Sequence, residues 1–140
     1  MLRQSLTTLS FKAPRQGLHE VTGDVESWVR EQGIDTGLLT LFCRHTSASL
    51  VIQENASNAA RRDIETYFSR IAPEESSLYT HNDEGPDDMP AHLRSALTAT
   101  QLAVPVQDGR MALGSWQGIY LFEHRREPSC RQVALHLVGE

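Results

Sequence analysis

The sequence predicts a mainly β, α+β fold in which two or three helices pack on a β core. Three observations support this prediction: several short runs are rich in apolar and β-forming residues, two longer segments carry apolar residues at steps of three and four, and turn-forming residues separate these segments. A chain of 140 residues is also close to the usual size of one domain. We therefore expect a single domain over residues 1–140, without internal repeats.

The N-terminal part of the chain is expected to contain one strand and one helix. Residues 6–11 are rich in β-forming residues and stop shortly before Pro14, which is typical of a strand followed by a turn. From Leu18 to Val29, apolar residues recur every three or four positions, as they do along one face of a helix. Gly33 is a suitable residue to end that helix.

Two strands and a second helix are expected next. Residues 37–43 and 48–52 are apolar runs of strand length, and a short polar segment separates them. The second helix should begin near Asn55 or Ser57, because both residue types are good N-caps, and should end at Pro73.

A long acidic segment, residues 73–90, has little periodicity. Loops of this length inside a compact domain are usually functional or disordered, and two histidines in and just after this one favour a functional loop. A short helix over residues 91–98 should follow it.

The C-terminal part reads as strands. Residues 102–106 and 111–113 are apolar runs on either side of the Asp108-Gly109 pair, which predicts a hairpin with a type I′ turn. Residues 119–122 and 133–138 are two further apolar runs, and we expect them to form a second hairpin.

Charge and cysteine content exclude several classes of protein. The chain has 13 basic and 18 acidic residues and a net charge of −5, so it has no overall positive field to attract nucleic acid. Cys43 and Cys130 are too few and too far apart for a disulfide framework; small buried residues are the ordinary reading, with thiol catalysis as the alternative. No apolar stretch has the length of a signal peptide or membrane span, so we expect a cytoplasmic protein with no membrane partner.

Three histidines are the strongest candidates for a site. His45, His81 and His92 lie in polar, turn-like segments, and imidazole is the commonest metal ligand in proteins. Three such ligands would leave one position on zinc free for water or substrate. Their spacing matches no local metal motif, so scattered histidines without a metal are the alternative. The prediction is a divalent metal, zinc or magnesium, on residues that are also candidate catalytic groups.

Hydroxyl and carboxylate side chains supply further candidates. Thr46, Ser47 and Ser49 could hold a phosphate together with backbone N–H groups, or could simply pair across a sheet. Glu84 and its acidic neighbours could act as a general base or as ligands for Mg²⁺, and a solvated acidic loop is the alternative. The chain has no glycine-rich phosphate loop, Gly-x-Ser-x-Gly elbow or His-Glu-x-x-His helix.

The ordered set of these polar segments resembles the YjbQ-like family over nearly the whole chain. The segments that carry the resemblance are His45-Thr46-Ser47-Ala48-Ser49-Leu50, Glu54-Asn55, His81, Glu84-Gly85, Pro90-Ala91-His92-Leu93, Val104-Pro105-Val106, Asp108-Gly109-Arg110, Leu113-Gly114-Ser115-Trp116-Gln117 and Glu123. Any one of them alone is a weak signal, whereas the ordered set is specific.

The resemblance implies a jelly-roll-like β-sandwich, a homotrimer and a polar pocket near the subunit boundary. It strengthens the three-histidine prediction and adds Asn55, Trp116 and Gln117 as candidate substrate-binding residues. Trp116 could instead be an anchor in the core or in an interface. At Asp88 the chain departs from the Asn that the family often has, which changes the charge near the histidines.

A secondary thiamine-phosphate synthase activity is assigned to the family. The resemblance therefore implies a transferase that couples a pyrimidine pyrophosphate with a thiazole phosphate, with the metal and the hydroxyl groups neutralising the pyrophosphate that leaves. Two alternatives remain open from the residues: a metal-dependent hydrolase, and a non-catalytic trimer that binds a metal or a small phosphorylated ligand.

Overall fold

The computed structural model describes residues 1–140 and has the mainly β, α+β fold that the sequence predicts. Eight strands and three α-helices make up the chain, and a short 3-10 helix, Ser76–Leu78, lies in the acidic segment. In chain order the elements are β1 (Arg3–Ala13), β2 (Gly17–Glu20), α1 (Thr22–Glu31), β3 (Gly37–Cys43), β4 (Ala48–Glu54), α2 (Asn58–Ile71), α3 (Asp88–Leu97), β5 (Gln101–Gln107), β6 (Arg110–Met111), β7 (Gln117–Glu123) and β8 (Ser129–Gly139).

The strands form two antiparallel sheets that share one core. The larger sheet has the order β1-β8-β3-β5-β6 and the smaller one the order β2-β7-β4. Leu39 and Leu135 of the larger sheet and Leu50 and Leu121 of the smaller sheet belong to the same cluster of buried side chains. The alternation of buried and exposed residues along β3 and β8 places one face of the larger sheet against this core.

The helices cover different parts of the sandwich. Helix α1 contributes Val25 and Val29 to the main core. Helix α2 packs on the outer face of the smaller sheet, where the Phe68 ring meets the Phe122 ring edge to face at 5.3 Å. Ser57 caps α2, since its Oγ accepts the N–H of Ala60. No helix has the length and apolarity needed to span a membrane.

Three connections cross from one sheet to the other at the same end of the sandwich, and the first of them, residues 14–16, joins β1 to β2. Residues 44–47 join β3 of the larger sheet to β4 of the smaller, and residues 124–128 join β7 of the smaller sheet to β8 of the larger. These last two crossings touch, because the N–H of His124 donates to the carbonyl oxygen of Ser47 at 3.2 Å. Helix α3 contacts β4, and its His92 and Ser95 bond to Thr46 and Ala48 at this end.

The structure corrects two local predictions. Residues 119–122 and 133–138 do not form a hairpin, because β7 pairs with β2 and β4 while β8 pairs with β1 and β3. Leu18 lies in β2, where it pairs with Phe122, rather than in the first helix. Its spacing from the next apolar residues fits a helical period, but a single apolar residue fits a strand equally well. The hairpin at Asp108-Gly109 is confirmed, with positive φ values of 53° and 74°.

Candidate functional site

His81, Asp88 and His92 converge at the crossing end of the sandwich. Nε2 of His81 lies 3.0 Å from Asp88 Oδ2, and Nε2 of His92 lies 3.1 Å from the same oxygen. Helix α3 starts at Asp88, three residues earlier than expected, so Asp88 and His92 stand one turn apart on the same helix face. His81 reaches the group from the acidic loop before α3.

The carboxylate at the centre of this group is buried while the imidazoles reach solvent. Side-chain exposure is 2% for Asp88, 31% for His92 and 45% for His81. A carboxylate withdrawn from water needs partners for both oxygens. Oδ2 faces the two imidazoles, and Oδ1 accepts a hydrogen bond of 2.7 Å from Nη1 of Arg125.

Arg125 holds the turn that leads into α3. Its Nε donates to Asp87 Oδ2 at 3.1 Å and its Nη2 to the carbonyl oxygen of Glu84 at 2.8 Å. Burial by itself lowers the pKa of Arg125, but the hydrogen bond and charge of Asp87 outweigh it and raise that pKa. Burial likewise would raise the pKa of Asp87, and hydrogen bonds from the Arg126 N–H and the Arg125 side chain lower it.

Hydrogen bonding shows which ring nitrogen of a neutral His92 carries the hydrogen. Its Nδ1 lies 3.1 Å from the carbonyl oxygen of Thr46, which can only accept, so Nδ1 carries the hydrogen. In that tautomer Nε2 presents a lone pair to Asp88 Oδ2, and two acceptors facing each other repel. A metal cation bound by both atoms would remove this repulsion.

The three residues fit a divalent metal of the zinc class. Their ligand atoms all lie within 4.8 Å of one another. Ligands on a tetrahedral centre with bonds of about 2.0–2.1 Å are roughly 3.3 Å apart, close to the two distances from Asp88 Oδ2. Two imidazole nitrogens and one carboxylate oxygen suit zinc better than magnesium, which prefers oxygen ligands alone.

His45, the other predicted metal ligand, is outside this group of three. Its Nε2 accepts the backbone N–H of Gln132 at 2.7 Å, so the lone pair of that nitrogen is engaged. Burial, assisted by the positive charge of Arg131, lowers the pKa of His45. The side chain is therefore a neutral imidazole whose Nδ1 carries the hydrogen, and it lines a cavity beside His92.

This cavity has a volume of about 900 Å³ and is lined by two of the predicted substrate-binding residues, Thr46 and Ser47. The loop between β3 and β4 forms one wall with Arg44, His45, Thr46 and Ser47. The backbone N–H groups of Thr46 and Ser47 donate to no acceptor in the protein. Consecutive free N–H groups beside hydroxyl groups and a guanidinium are well suited to an anionic group such as phosphate.

The buried ion pair of Arg131 and Glu123 holds the same loop in place. Nε of Arg131 donates to Glu123 Oε1 at 2.6 Å, and its Nη2 donates to Ser47 Oγ at 3.0 Å. Glu123 is completely buried, and its Oε2 also accepts the N–H of Arg125 at 3.1 Å. Glu123, the last residue of β7, therefore positions Arg131, which holds the cavity loop, and Arg125, which holds Asp88.

The other predicted site residues do not line this cavity. Ser49 is completely buried, with its hydroxyl bonded to His124 Nε2 at 2.8 Å. Glu84 has an exposed side chain, 3.9 Å from Arg125 Nη1. Asn55, Trp116 and Gln117 lie together at the far end of β4 and the start of β7, roughly 20 Å along the strand from Ser49.

Arg125 and Arg131, which organise this end of the sandwich, were not among the predicted site residues, and Asp88 was predicted only as one of several acidic candidates for a general base or cation ligand. For Asp88 a signal existed, because Asp88 and His92 are four residues apart and would share a face if the helix began before Ala91. No local pattern marks Arg125 or Arg131, because their partners lie on distant parts of the chain.

A family model, curated proteins and solved structures all match nearly the whole chain. A family model described as UPF0047 protein YjbQ-like matches residues 7–140. The UPF0047 protein sll1880 of Synechocystis sp. is 45% identical over 138 residues, covering 99% of this chain and 94% of that protein. The UPF0047 protein YjbQ of Salmonella typhimurium is 41% identical over 141 residues, covering 100% of both. The crystal structure of a YbjQ-like protein of unknown function from Sulfolobus solfataricus P2 superposes with a TM-score of 0.91 at 26% identity, covering 100% of both chains.

Proposed function

The chain belongs to the UPF0047 YjbQ-like family, and we propose that it is a metal-dependent enzyme acting on a small phosphorylated molecule beside His81, Asp88 and His92. The observation that carries the proposal is the convergence of two imidazole Nε2 atoms on one oxygen of a buried carboxylate, with the Nδ1 of His92 committed to a backbone carbonyl. A carbonyl or carboxylate that orients the second ring nitrogen is typical of histidines that bind metals.

A metal held by these residues would supply a positive charge that polarises an oxygen of the substrate or of water. Asp88 contributes one negative charge, and the two neutral imidazoles contribute none, so a divalent ion here keeps a net positive charge. Arg125 keeps Asp88 oriented by occupying its other oxygen. Among the metals predicted from sequence, zinc is our proposal because two of the three donors are nitrogen.

The adjoining cavity supplies the contacts for the phosphorylated part of the substrate. The free N–H groups and the hydroxyls of Thr46 and Ser47 would bind phosphate oxygens, and the side chain of Arg44 would neutralise their charge. His45 Nδ1–H is a further donor, since its Nε2 is already engaged by Gln132. In this role His45 binds substrate rather than metal.

The reaction we propose first is the transfer implied by the family resemblance, the formation of thiamine phosphate. A C–N bond forms between the thiazole phosphate and the pyrimidine, and the C–O bond to pyrophosphate breaks. The leaving pyrophosphate takes both electrons of the broken bond. The chain's contribution is to bind this anion with the N–H groups and hydroxyls of Thr46 and Ser47 and to hold the two rings together in the cavity.

A metal-dependent hydrolase is the second candidate, and the donor set favours it. Two imidazoles and one carboxylate, with the imidazoles partly exposed, match catalytic zinc sites that keep one position open to water. The substrate would again be a phosphorylated molecule, because the cavity wall is the same.

Zinc titration of chelator-treated protein tests the metal proposal. We expect one equivalent of zinc to bind to the wild type and at least a hundredfold weaker binding to H81A and H92A, since each loses a ligand. His19→Ala is the matched control, because His19 is half-buried in β2, away from this cluster, and its Nε2 bonds to the carbonyl oxygen of Arg15. Equal zinc affinity in H92A and the wild type would contradict the proposal.

Activity of the zinc-loaded protein then separates the candidate reactions. Pyrophosphate released only when both the pyrimidine pyrophosphate and the thiazole phosphate are present supports the transferase, and H92A should abolish it. Faster turnover of simple phosphate esters than of this pair supports the hydrolase. Zinc binding without either activity would leave a non-catalytic binding protein and overturn the enzyme proposal.

We also propose the homotrimer implied by the resemblance. Leu6, Leu38 and Phe42 are 73%, 44% and 47% exposed on the outer face of the larger sheet, which no helix covers. A subunit packed on this uncovered sheet face would bury these apolar side chains. Sedimentation equilibrium should give three times the monomer mass, and Leu38→Glu should lower it; a monomeric wild type at micromolar concentration contradicts the proposal.

A further inference from the structure

A group of basic residues lies near the N-terminus of α2, the helix that covers the outer face of the smaller sheet. Arg15, Asn58, Arg61, Arg62 and Glu65 line a cavity of about 320 Å³ that includes no hydrophobic residue. None of these residues lines the cavity beside His92. Positions 58, 61, 62 and 65 share one face of α2 because they are three, four and seven residues apart.

The charges in this group are not balanced within the protein. Glu65 is the one carboxylate, and its Oε2 accepts the N–H of Leu18 at 2.7 Å and lies 3.7 Å from Arg15 Nη1. Arg61 and Arg62 form no ion pair. Two positive charges are therefore uncompensated on a protein whose net charge is −5, which favours an anionic ligand at this point.

Arg61 is held in a fixed position that favours binding. Its guanidinium lies over the ring of buried Tyr120, 5.2 Å from the centroid, and Nη2 lies 3.3 Å from Tyr120 Oη. Its Nε is buried and donates to no acceptor. Stacking on Tyr120 fixes the guanidinium beside the cavity, which lowers the conformational cost of binding an anion there.

Gly17 allows the cavity to form beside the backbone of β2. It has a positive φ of 124°, and a Cβ at this position would lie 2.6 Å from Arg15 Nη1. Any other residue would therefore displace the guanidinium as well as strain the backbone. The positive end of the α2 dipole, which begins at Asn58, adds to the field of the three arginines.

We propose that Arg15, Arg61 and Arg62 form an anion-binding site for a phosphate group, separate from the His81–Asp88–His92 cluster. The ligand is either free inorganic phosphate or the phosphate of a small monoester. Guanidinium groups bind such oxygens through pairs of parallel hydrogen bonds, and the polar walls of the cavity exclude an apolar ligand.

Titration of zinc-free protein with inorganic phosphate, followed by backbone and arginine Nε–H NMR signals, tests this site. We expect shifts at residues 58–62 and at Arg15, distinct from any shifts at residues 45–47. Arg62→Gln and Arg15→Gln should each raise the Kd measured at the α2 signals about tenfold, because each removes a charge-assisted hydrogen bond. Both residues are exposed, so neither substitution should affect folding.

Arg70→Gln, an exposed substitution in the last turn of the same helix, is the matched control and should leave that Kd unchanged. A parallel titration with glycerol 2-phosphate distinguishes the sources: binding of both ligands assigns the site to phosphate monoesters, and binding of inorganic phosphate alone assigns it to the free ion. Absence of shifts at residues 58–62, or the same Kd in Arg62→Gln as in the wild type, overturns the proposal.

Discussion

Arg125 Nη1 donates a hydrogen bond of 2.7 Å to Asp88 Oδ1 and thereby leaves Oδ2 of the same carboxylate towards His81 and His92. The arginine comes from the connection between β7 and β8, whereas the carboxylate comes from the first turn of α3. The orientation of the candidate metal ligand thus depends on a contact between two parts of the chain that are 37 residues apart.

Arg125→Gln should weaken zinc binding about 10- to 100-fold, because residues that orient a metal ligand typically contribute that much to affinity. Competition with a chromophoric chelator measures the change. Arg126→Gln is the control, since the Arg126 side chain pairs with Glu74 and contacts Asp87 through its backbone N–H alone. An equal loss in both variants would contradict the role given to Arg125.

The buried pair of Arg131 and Glu123 should be strongly coupled. Arg131→Met leaves the carboxylate of Glu123 buried without its partner and should lower the free energy of unfolding by about 3–5 kcal/mol. The double variant with Glu123→Leu removes both charges and should recover part of that loss. Urea unfolding of both single variants and the double variant gives the coupling, and additive effects would rule it out.

His124 should make stability depend on pH. Burial, together with the charges of Arg94 and Arg131, lowers its pKa to about 3 from the ordinary histidine value of 6.5. Between these values the unfolded chain binds a proton that the folded protein does not, so stability is complete above about pH 6.5 and is lost as pH falls, by about 1.4 kcal/mol per unit.

His124→Gln removes this titration while keeping a polar partner for Ser49. Its free energy of unfolding should therefore change less between pH 6.5 and pH 4.5 than that of the wild type. Chemical denaturation at several pH values measures both slopes. Parallel slopes in the two proteins would show that another group causes the dependence.

Gly109 and Gly23 should respond to substitution by alanine in opposite ways. Gly109 has a φ of 74° in the β5–β6 turn, and its nearest neighbour to an added Cβ is 4.0 Å away, so the cost is conformational. Gly109→Ala should destabilise the protein by about 1 kcal/mol. Gly23 lies in α1 with open space around it, so Gly23→Ala should stabilise by up to about 1 kcal/mol. Thermal unfolding of both variants tests the contrast.

Local chemistry in the sequence determined most of the elements. The apolar runs at β3 and β4 predicted those strands, Ser57 and Pro73 predicted the limits of α2, and Asp108-Gly109 predicted a turn with two positive φ values. These features depend on neighbouring residues alone, through capping, chain stiffness and allowed backbone angles, so they can be read directly from the sequence. The ordered polar motifs were also enough to indicate the family that the full-length comparisons show.

Only the tertiary structure decided which polar residues meet. The sequence singled out His45, His81 and His92, but the structure groups His81 and His92 with Asp88. His45 Nε2 instead accepts the backbone N–H of Gln132. Apolar strands pair by burial and register rather than by chain order, and this pairing sends β7 and β8 to different sheets. The crossings between the sheets then bring Arg125 to Asp88 and Arg131 to Ser47, contacts over long chain separations that no local pattern specifies.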